Sequence, residues 1–396
     1  MKYVMLIPDG AADLPLDELG GKTPLEVANI PFLDLIAREG VGGTVRTIPP
    51  GIGTGSDVAS LSLLGYDPRK YYTGRGPLEA AYHGIELKKG QIAYRCNLIT
   101  EKDGALADYS SGHITSDEAA ILIRAIDDAL GTDKIEFHPG VSYRHLMILK
   151  EGGSPETKCY PPHDVLGRPI KEVLPSGYGA NLLIDLIKRS PAVLKDHEIN
   201  KKRIARDKNP ANMIWPWGQG PPPHLTTFRD RVGIEGSVIT AVDVIKGIGS
   251  SSGLDVINVN GATGYYDTNY EEKARSALAS LKMKDFVFVH VEAPDEAGHE
   301  GDAKAKIKAL EDFDNRTVRL IMEGLPEFGD YRVLVVPDHA TPCSLRTHDP
   351  APVPFALYSS NGEADGMPAF DEKSANEDGS IHLKHGEELI RLLIDS

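Results

Sequence analysis

The sequence predicts an α/β protein built on a doubly wound, mostly parallel sheet, with a second, smaller α+β domain inserted into it. Three observations predict this fold: short apolar runs rich in β-branched residues, helical spacing between those runs, and a turn-rich central stretch of different character. Strands that alternate with helices along a chain typically form parallel sheets. The apolar runs therefore indicate one sheet, assembled from segments far apart in the chain.

The apolar runs do not alternate polar with apolar residues, so the strands that they predict are expected to be buried on both faces. The clearest runs are residues 3–7, 256–259, 286–291 and 333–336. Helical spacing covers residues 270–281 and 303–322. The acidic, glycine-containing stretch near residues 361–380 is expected to be a surface loop.

The central stretch has many turns and a Pro/Gly/Trp segment at 215–223. We therefore predict an inserted α+β domain over residues 76–231. The first and last parts of the chain, residues 1–75 and 232–396, then form one discontinuous domain. A chain of 396 residues is long enough for two domains.

Charge argues against a nucleic-acid partner. The formal net charge is −15, and nucleic-acid binding would then need a strong local basic patch. The one basic cluster, Lys201 to Arg203 with Arg206, is interrupted by apolar residues and is interpreted as a solvated helix face.

Cysteine usage and hydropathy favour a cytoplasmic protein. The three cysteines, Cys96, Cys159 and Cys343, are far apart and form no CxxC pair. This pattern favours reduced thiols and disfavours a thiolate zinc site. No stretch approaches the ~18 apolar residues of a membrane span, so no membrane partner is expected. The sequence carries no signal for an oligomeric state.

Three aspartates follow predicted strands. Asp9 comes after the first run, Asp295 after residues 286–291, and Asp338 after residues 333–336. Ligands bind outside the carboxyl ends of the strands in open α/β sheets, so these side chains are expected to converge there. Three carboxylates brought together repel one another unless cations compensate them.

Histidines accompany two of these aspartates. His299 follows Asp295 by four residues, and His339 and His348 follow Asp338. Carboxylate oxygens and imidazole nitrogens without thiolates suit Mn²⁺, Zn²⁺, Co²⁺ or Fe²⁺ better than Ca²⁺. A single strand-end aspartate is more often a turn or cap residue, but the joint pattern favours a site for two ions.

A glycine-rich segment, residues 51–55, leads through Ser56 into a helical pattern that Gly65 ends. Ser56 stands where a helix N-cap is expected, and capping is the commoner role of serine there. The functional alternative is that the helix N-terminus binds phosphate and that Ser56, beside a divalent ion, acts as a nucleophile.

These motifs together resemble the alkaline phosphatase superfamily: Asp9, the Ser56 loop followed by residues 63–68, Asp295 with His299, and Asp338 with His339 and His348. Within it, residues 289–299 (VHVEAPDEAGH), 215–220 (WPWGQG) and 261–269 resemble the archaeal-type, cofactor-independent phosphoglycerate mutases. The resemblance runs from Asp9 past His348 and implies a sheet of the alkaline phosphatase type.

The resemblance also implies roles. Ser56 would carry the phosphoryl group, and His113 matches the family's candidate general acid/base. Two divalent ions, usually Mn²⁺ or Mg²⁺ with Zn²⁺ or Co²⁺ accepted, would be held by two ligand sets: Asp9, Ser56, Asp338 and His339 for one ion, and Asp295, His299 and His348 for the other. The inserted domain would grip the substrate and close over the metals.

Further candidates for substrate binding are argued from chemistry. Arg144 has the planar guanidinium that suits a carboxylate or a phosphate, although a surface arginine is the plain alternative. His163 and Asp164 lie in a Pro-Pro-His-Asp segment and are either site or turn residues. Lys246 is a candidate to neutralise phosphate. Trp215 and Trp217 are expected to pack in the core or at a hinge.

The implied function is interconversion of 3-phosphoglycerate and 2-phosphoglycerate through a phosphoserine, in glycolysis or gluconeogenesis. Three rivals stay open at this point. A phosphatase needs only that water reach the same metal core, and a homoserine kinase-like phosphotransferase shares its ligands. A non-catalytic metal-binding protein could keep the fold, but the intact Ser56 weighs against it.

Overall fold

A computed structural model describes residues 1–395, and the chain divides into two compact units. The first unit contains Met1–Tyr72 together with the chain from His224 onward, and the second is the continuous segment Thr73–Pro223. The sequence analysis placed these borders at residues 76 and 231. That the second unit binds substrate stays a prediction.

The strands are numbered in chain order. They are β1 (Lys2–Pro8), β2 (Val41–Val45), β3 (Ile92–Lys102), β4 (Ala105–Asp108), β5 (Ile135–His138), β6 (Arg144–Leu149), β7 (Met213–Gly220), β8 (Gly236–Ile239), β9 (Asp255–Ile257), β10 (Phe286–Val291), β11 (Tyr331–Val335), β12 (Val353–Ser359) and β13 (Ile381–Leu383).

The α-helices are numbered in the same way. They are α1 (Pro24–Val27), α2 (Pro31–Arg38), α3 (Ser56–Leu63), α4 (Pro68–Tyr71), α5 (Arg75–Tyr82), α6 (Ser116–Leu130), α7 (Ala180–Leu194), α8 (Glu198–Ile204), α9 (Phe228–Val232), α10 (Asp243–Ser251), α11 (Tyr270–Leu281), α12 (Ala293–Glu300), α13 (Ala303–Phe313), α14 (Arg319–Gly324), α15 (Glu372–Glu377) and α16 (Leu389–Asp395). Within residues 1–395, none of the helices is both long enough and apolar enough to cross a membrane.

The sheet of the first unit has eight strands in the order β13-β2-β12-β11-β1-β10-β8-β9. β1 lies at its centre and pairs in parallel with both β10 and β11. β8 and β9 extend the parallel part, whereas β12 runs antiparallel to β11 and β2. The predicted α/β class with a mostly parallel sheet is confirmed.

The central strands are buried along their whole width. Val4 to Ile7 in β1 are fully buried, and so are all six residues of β10. This explains why the sequence of these strands shows continuous apolar runs rather than alternation. β1 and β10 are therefore packed against other parts of the first unit on both faces of the sheet.

The sheet of the second unit is antiparallel. β3 pairs with β4, β6 and β7, and β5 pairs with β6. Its apolar face packs against α6 and α7, with Leu122, Ile126, Leu183 and Leu186 among the buried contacts.

The expectation of a surface loop over residues 361–380 is wrong. Met367, Phe370 and Ala375 are buried in the main core of the first unit, and α15 lies within this stretch. The acidic composition suggested exposure, but several of these acidic side chains accept hydrogen bonds from backbone N–H groups and so belong to the folded core region. Asp371 caps α15 in this way, accepting a hydrogen bond from Ser374 N at 2.7 Å.

The helix predicted over residues 303–322 is interrupted by a π-helical turn, Asp314–Val318. The turn brings Asp314 to the start of α2, where its Oδ1 accepts hydrogen bonds from Phe32 N (3.1 Å) and Leu33 N (2.7 Å). These N–H groups have no partner within their own helix, so a carboxylate from a distant segment caps them.

Asp314 is expected to make stability depend on pH. Burial raises its pKa from 3.8 to about 7, against the lowering effect of the two N–H bonds. Between these values the unfolded chain loses a proton that the folded chain keeps, so the free energy of unfolding falls as the pH rises. The fall is on the order of 2–4 kcal/mol across the window.

Thermal unfolding midpoints at pH 5, 6, 7 and 8 test this prediction. The Asp314→Asn variant keeps an acceptor oxygen but cannot ionise, so its midpoint should decline less steeply than that of the wild type. Asp185→Asn, at a carboxylate that is 57% exposed, is the control and should not alter the slope. Parallel slopes for wild type and Asp314→Asn would contradict the prediction.

Candidate functional site

Each of three adjacent central strands positions one aspartate. Asp9 directly follows β1, Asp338 follows β11, and Asp295 lies in the first turn of α12, which follows β10. All three are buried, with at most 4% of each residue exposed. Parallel strands end at the same edge of the sheet, so residues far apart in sequence meet there.

One candidate ligand group consists of Asp9, Asp338 and His339, whose ligand atoms lie within 4.8 Å of one another. His339 Nε2 is 3.5 Å from Asp9 Oδ1 and 3.4 Å from Asp338 Oδ2. Ser56 joins this group, with its Oγ 3.2 Å from Asp9 Oδ2 and 3.3 Å from His339 Nε2.

The interpretation of Ser56 as a helix cap is wrong. α3 begins at Ser56 itself, Gly55 occupies the cap position, and no side chain caps the helix. Because Ser56 lies one position inside the helix, its hydroxyl is turned away from the helix N–H groups and toward Asp9 and His339. In the first turn of α3, Val58 N donates to Asp57 Oδ1 at 3.0 Å, so an anion would be bound by the N–H groups that precede it.

A second candidate ligand group consists of Asp295, His299 and His348. His299 Nε2 is 3.3 Å from Asp295 Oδ2, and His348 Nε2 is 3.6 Å from Asp295 Oδ1. Burial alone would raise the pKa of Asp295, but the hydrogen bond from His299 and the neighbouring imidazoles bring it below its ordinary value. Asp295 is therefore ionised at neutral pH.

The partners of the Nδ1 atoms show which imidazole nitrogens face the centre. His299 Nδ1 lies 3.2 Å from the carbonyl oxygen of Arg346, and His348 Nδ1 lies 3.2 Å from that of Thr54. A carbonyl oxygen only accepts, so each ring carries a proton on Nδ1. Burial lowers the pKa of His299, but the hydrogen bond to Asp295 and the charge of Asp295 raise it to about 9, so His299 Nε2 holds a second proton that a cation would displace. The two Nε2 atoms lie 3.0 Å apart, so both could then bind one cation.

His339 also directs its Nδ1 at an oxygen atom and its Nε2 at the centre. Thr341 Oγ1 donates to Asp295 Oδ1 at 2.5 Å, so it can accept from His339 Nδ1 at 3.2 Å. The Nε2 of His339 is again left for the centre, where Asp9 and Ser56 lie. Thr341 thus links the two ligand groups, although the sequence analysis did not single it out.

The carboxylates of the centre disfavour one another's ionised forms. Burial raises the pKa of Asp9, and the charges of Asp338 and Asp295 raise it further. Asp338 uses Oδ1 to accept from Gly10 N at 3.0 Å and His339 N at 2.9 Å, while its buried Oδ2 accepts no hydrogen bond from the described residues. The acidic groups, the Nε2 atoms and this oxygen fit divalent cations.

Gly10 allows the two groups to lie this close. Its φ is +61°, and a Cβ atom there would lie 2.5 Å from Asp295 Oδ1 and 2.6 Å from Thr341 Oγ1. Any other residue would be strained in the backbone and would displace a candidate ligand.

The predicted substrate residues of the second unit include His113, which is exposed at the end of a tight loop. His113 has a φ of +48° and Ser111 one of +51°, a conformation that side chains other than glycine rarely adopt. Asp108 fixes the loop by accepting from Ser110 N and Gly112 N. A strained loop held by hydrogen bonds is typical of functional sites.

Arg203 also holds this loop, which corrects the interpretation of the basic cluster as a solvated face. The Arg203 side chain is 1% exposed, and it donates to Ser111 O and to Glu118 Oε2. The neighbouring Lys201 is exposed and pairs with Glu198. One residue of the cluster is therefore structural.

Aromatic contacts connect His113 with two other predicted residues. The ring of Tyr143 lies edge-on to His113 at 6.4 Å and to Tyr109 at 5.8 Å. The Arg144 guanidinium stacks on Tyr143 at 4.5 Å, and His163 lies edge-on to Tyr109 at 6.2 Å. The structure thus brings His113, Arg144 and His163 into one surface cluster.

The sequence analysis missed two further arginines of this cluster. Arg75 and Arg95 both lie over the Trp217 ring, at 5.5 and 5.4 Å. Arg95 pairs with Glu79 at 2.6 Å, and both side chains are buried. Burial lowers the pKa of Arg95, and the charges of Arg144 and Arg75 lower it further, so positive charge is concentrated here. A charged residue inside the apolar run of β3 was the available signal.

Trp217 is buried, and besides packing in the core it contacts polar and charged side chains. Its ring supports Arg75 and Arg95, its Nε1 donates to Asn97 Oδ1 at 3.0 Å, and His163 lies edge-on to it at 5.4 Å. Trp215, by contrast, is a core residue as expected.

Two predicted residues lie apart from these contacts. Asp164 is exposed, and its Oδ1 is 3.7 Å from His163 Nε2. Lys246, in α10 of the first unit, pairs with Asp243 at 3.4 Å. Their roles in substrate binding stay predictions.

Known proteins are similar in sequence to this chain over its full length. It is 52% identical over 396 residues to the 2,3-bisphosphoglycerate-independent phosphoglycerate mutase of Methanosarcina barkeri, covering 100% of this chain and 99% of the relative. It is 49% identical over 400 residues to the probable enzyme of that name in Geobacter sulfurreducens, covering 100% of both. The family model of the same name matches residues 37–200.

Solved structures share its fold. The PH0037 protein from Pyrococcus horikoshii superimposes with a TM-score of 0.82 at 31% identity, covering 100% of this chain and 96% of the other. The cofactor-independent phosphoglycerate mutase from Thermoplasma acidophilum gives 0.65 at 26% identity, covering 100% and 99%. These likenesses confirm the resemblance found in the sequence. The chain belongs to the family of 2,3-bisphosphoglycerate-independent phosphoglycerate mutases.

Proposed function

We propose that this chain interconverts 3-phosphoglycerate and 2-phosphoglycerate through a phosphoserine at Ser56, without 2,3-bisphosphoglycerate. One observation carries the proposal: the Ser56 hydroxyl lies at the N-terminus of α3 within 3.5 Å of Asp9 and His339. A nucleophile, candidate cation ligands and a phosphate-binding helix end thus occupy one place. Family membership supports the same reaction.

Two divalent cations complete the site in this proposal. One ligand set is Asp9, Ser56, Asp338 and His339, and the other is Asp295, His299 and His348. The donors suit Mn²⁺ or Mg²⁺, with Zn²⁺ or Co²⁺ as further candidates. When bound, such ions neutralise phosphoryl oxygens and favour the deprotonated form of a nearby hydroxyl.

The chain's own residues carry the two transfers. In the first, Ser56 Oγ, which would be deprotonated beside a divalent ion and would leave the second step in the same form, forms a bond to phosphorus as the bond from phosphorus to the 3-oxygen of the substrate breaks, and that oxygen gains a proton. In the second, the 2-hydroxyl of bound glycerate loses a proton and attacks the phosphoserine, which frees Ser56. We assign both proton movements to the His113 imidazole.

The basic and aromatic cluster of the second unit supplies the groups that bind the substrate anion. The exposed Arg144 has the geometry to bind a carboxylate, and Arg75 and Arg95 add positive charge around Trp217. We assign His163, Asp164 and, from the first unit, Lys246 to the same task.

A coupled assay with purified protein, Mn²⁺ and 3-phosphoglycerate tests the proposal. It follows 2-phosphoglycerate and free phosphate together, in the absence of 2,3-bisphosphoglycerate. Formation of 2-phosphoglycerate supports the mutase. Free phosphate alone would identify a phosphatase, and product only with ATP and homoserine would identify the phosphotransferase alternative.

Removing divalent cations with EDTA is expected to abolish turnover and to lower the thermal unfolding midpoint, because the buried carboxylates lose their compensation. Adding Mn²⁺ at 100 times its dissociation constant should raise the free energy of unfolding by about 2.7 kcal/mol per independent site. Calorimetry with and without Mn²⁺ measures this, and a midpoint insensitive to both additions would exclude a cation site.

A further inference from the structure

His290 contacts the candidate centre from within a strand, although it belongs to neither ligand set. It lies in β10 and is fully buried. Its Nε2 is 3.0 Å from Asp9 Oδ2, which is also the oxygen nearest to Ser56 Oγ. The distance is within hydrogen-bonding range, but among the described residues the buried Nε2 has no partner in hydrogen-bond geometry, so a rotation of the ring or of the carboxylate is needed to align them.

Thr240 lies beside the other ring nitrogen of His290 and can donate to it. It follows β8, and its Oγ1 lies 3.2 Å from His290 Nδ1. The same oxygen accepts a hydrogen bond from Val242 N at 3.1 Å, so the hydroxyl hydrogen is available for Nδ1. A ring that accepts at Nδ1 carries its proton on Nε2, facing Asp9. His299, His339 and His348 instead direct Nδ1 at an oxygen and Nε2 at the centre.

We propose that His290, held by Thr240, is a positioning residue that donates its Nε2 proton to Asp9 and so orients that carboxylate for the cation and for Ser56. The imidazole on β10 then fixes the orientation of the Asp9 carboxylate, which follows the neighbouring strand β1. The inference rests on the proposed two-cation site. Removing a residue that hydrogen-bonds to a metal ligand typically lowers metal affinity or activity 10- to 100-fold.

The neighbouring charges favour this role over a third cation. Asp9, His290 and Glu292 also place ligand atoms within 4.8 Å, so a further cation is the alternative. Lys273 is fully buried beside them, and its Nζ donates to His290 O at 2.9 Å. Its charge and that of Glu292 influence each other directly. The buried Lys273 ammonium group would repel an adjacent divalent ion, which disfavours a third cation at this position.

Mn²⁺ binding by the full chain tests the proposal, with stoichiometry from metal analysis and affinity from calorimetry. His290→Gln keeps an N–H donor at the same distance along the side chain, whereas His290→Leu removes it. Thr240→Val removes the hydroxyl, and Thr240→Ser restores it. His145→Leu is the control, since His145 is a buried histidine of the second unit. A melting curve without metal shows that each variant is folded.

We expect the wild type to bind two Mn²⁺ per chain. His290→Leu should also bind two, with affinity reduced 10- to 100-fold. His290→Gln and Thr240→Ser should remain close to wild type, Thr240→Val should fall between, and His145→Leu should be unchanged.

Other outcomes overturn the proposal in distinguishable ways. Three Mn²⁺ in the wild type and two in His290→Leu would establish a third cation site instead. Wild-type affinity in both His290→Leu and Thr240→Val would show that neither residue positions Asp9. A wild type that binds no Mn²⁺ would remove the two-cation site and this inference together.

Discussion

Replacing Ser56 with alanine is expected to lower mutase turnover by on the order of 10⁴- to 10⁶-fold, because the group that receives the phosphoryl moiety is lost. The fold should persist, since the Ser56 hydroxyl does not cap α3 and contributes nothing to holding that helix. Mn²⁺ binding should persist as well, because Asp9, Asp338 and His339 remain. The coupled assay and metal analysis measure the two properties separately.

The matched control for this variant is Ser60→Ala. Ser60 lies in the same helix, is fully buried, and its Oγ has no hydrogen-bond partner within the part of the chain that the structure describes. It should retain wild-type turnover. If Ser56→Ala kept activity within tenfold of wild type, the phosphoserine would be excluded and direct transfer between the substrate oxygens would have to be considered.

The second large effect is expected at Lys306, a fully buried lysine of α13. Its Nζ donates to Asp13 Oδ2 at 2.8 Å, to Thr341 O at 2.9 Å and to Ala12 O at 3.2 Å. Lys306→Met leaves the Asp13 carboxylate buried without its counterion, so the free energy of unfolding should fall by about 3–5 kcal/mol. Urea unfolding in EDTA measures the loss.

The same variant is expected to weaken Mn²⁺ binding. Lys306 joins the segment after Asp9 to Thr341, whose hydroxyl bonds both Asp295 and His339. Lys308→Met is the control, because Lys308 is 66% exposed and its pair with Asp312 should contribute less than about 1 kcal/mol. Equal effects of the two substitutions would show that burial of the Lys306 pair has no special importance.

Much of the site's location could be predicted from sequence, because strand ends leave a local pattern. Asp9, Asp295 and Asp338 each follow a continuous apolar run, and the edge where parallel strands end brings them together whatever their separation in the chain. Their role as metal ligands stays a prediction. The inserted unit was visible for a similar reason, since its turn-rich composition differs from that of the flanking strands.

What the sequence could not predict depends on the direction of side chains. Ser56 looked like a cap because a serine that follows a glycine-rich turn can be the N-cap of the next helix or its first residue. The two positions differ by one residue, and only at the first is the hydroxyl expected to bond to the helix N–H groups. Arg95, Arg203 and His290 are buried polar residues whose partners lie on other elements. Burial of such groups depends on hydrogen bonds formed only in the folded chain, so local sequence carries little sign of it.

The central place of β1 in the sheet has a consequence for biosynthesis. Tyr3 pairs with Phe286 on one side and Arg332 on the other, so β1 has no neighbour in the sheet until the part of the chain that contains Phe286 has been made. At about 5–20 residues per second, the wait lasts on the order of tens of seconds. The continuous segment Thr73–Pro223 can fold in that interval. The apolar residues of β1 stay open to chaperones meanwhile, and the proposed ligand sets are complete only once His348 has been made.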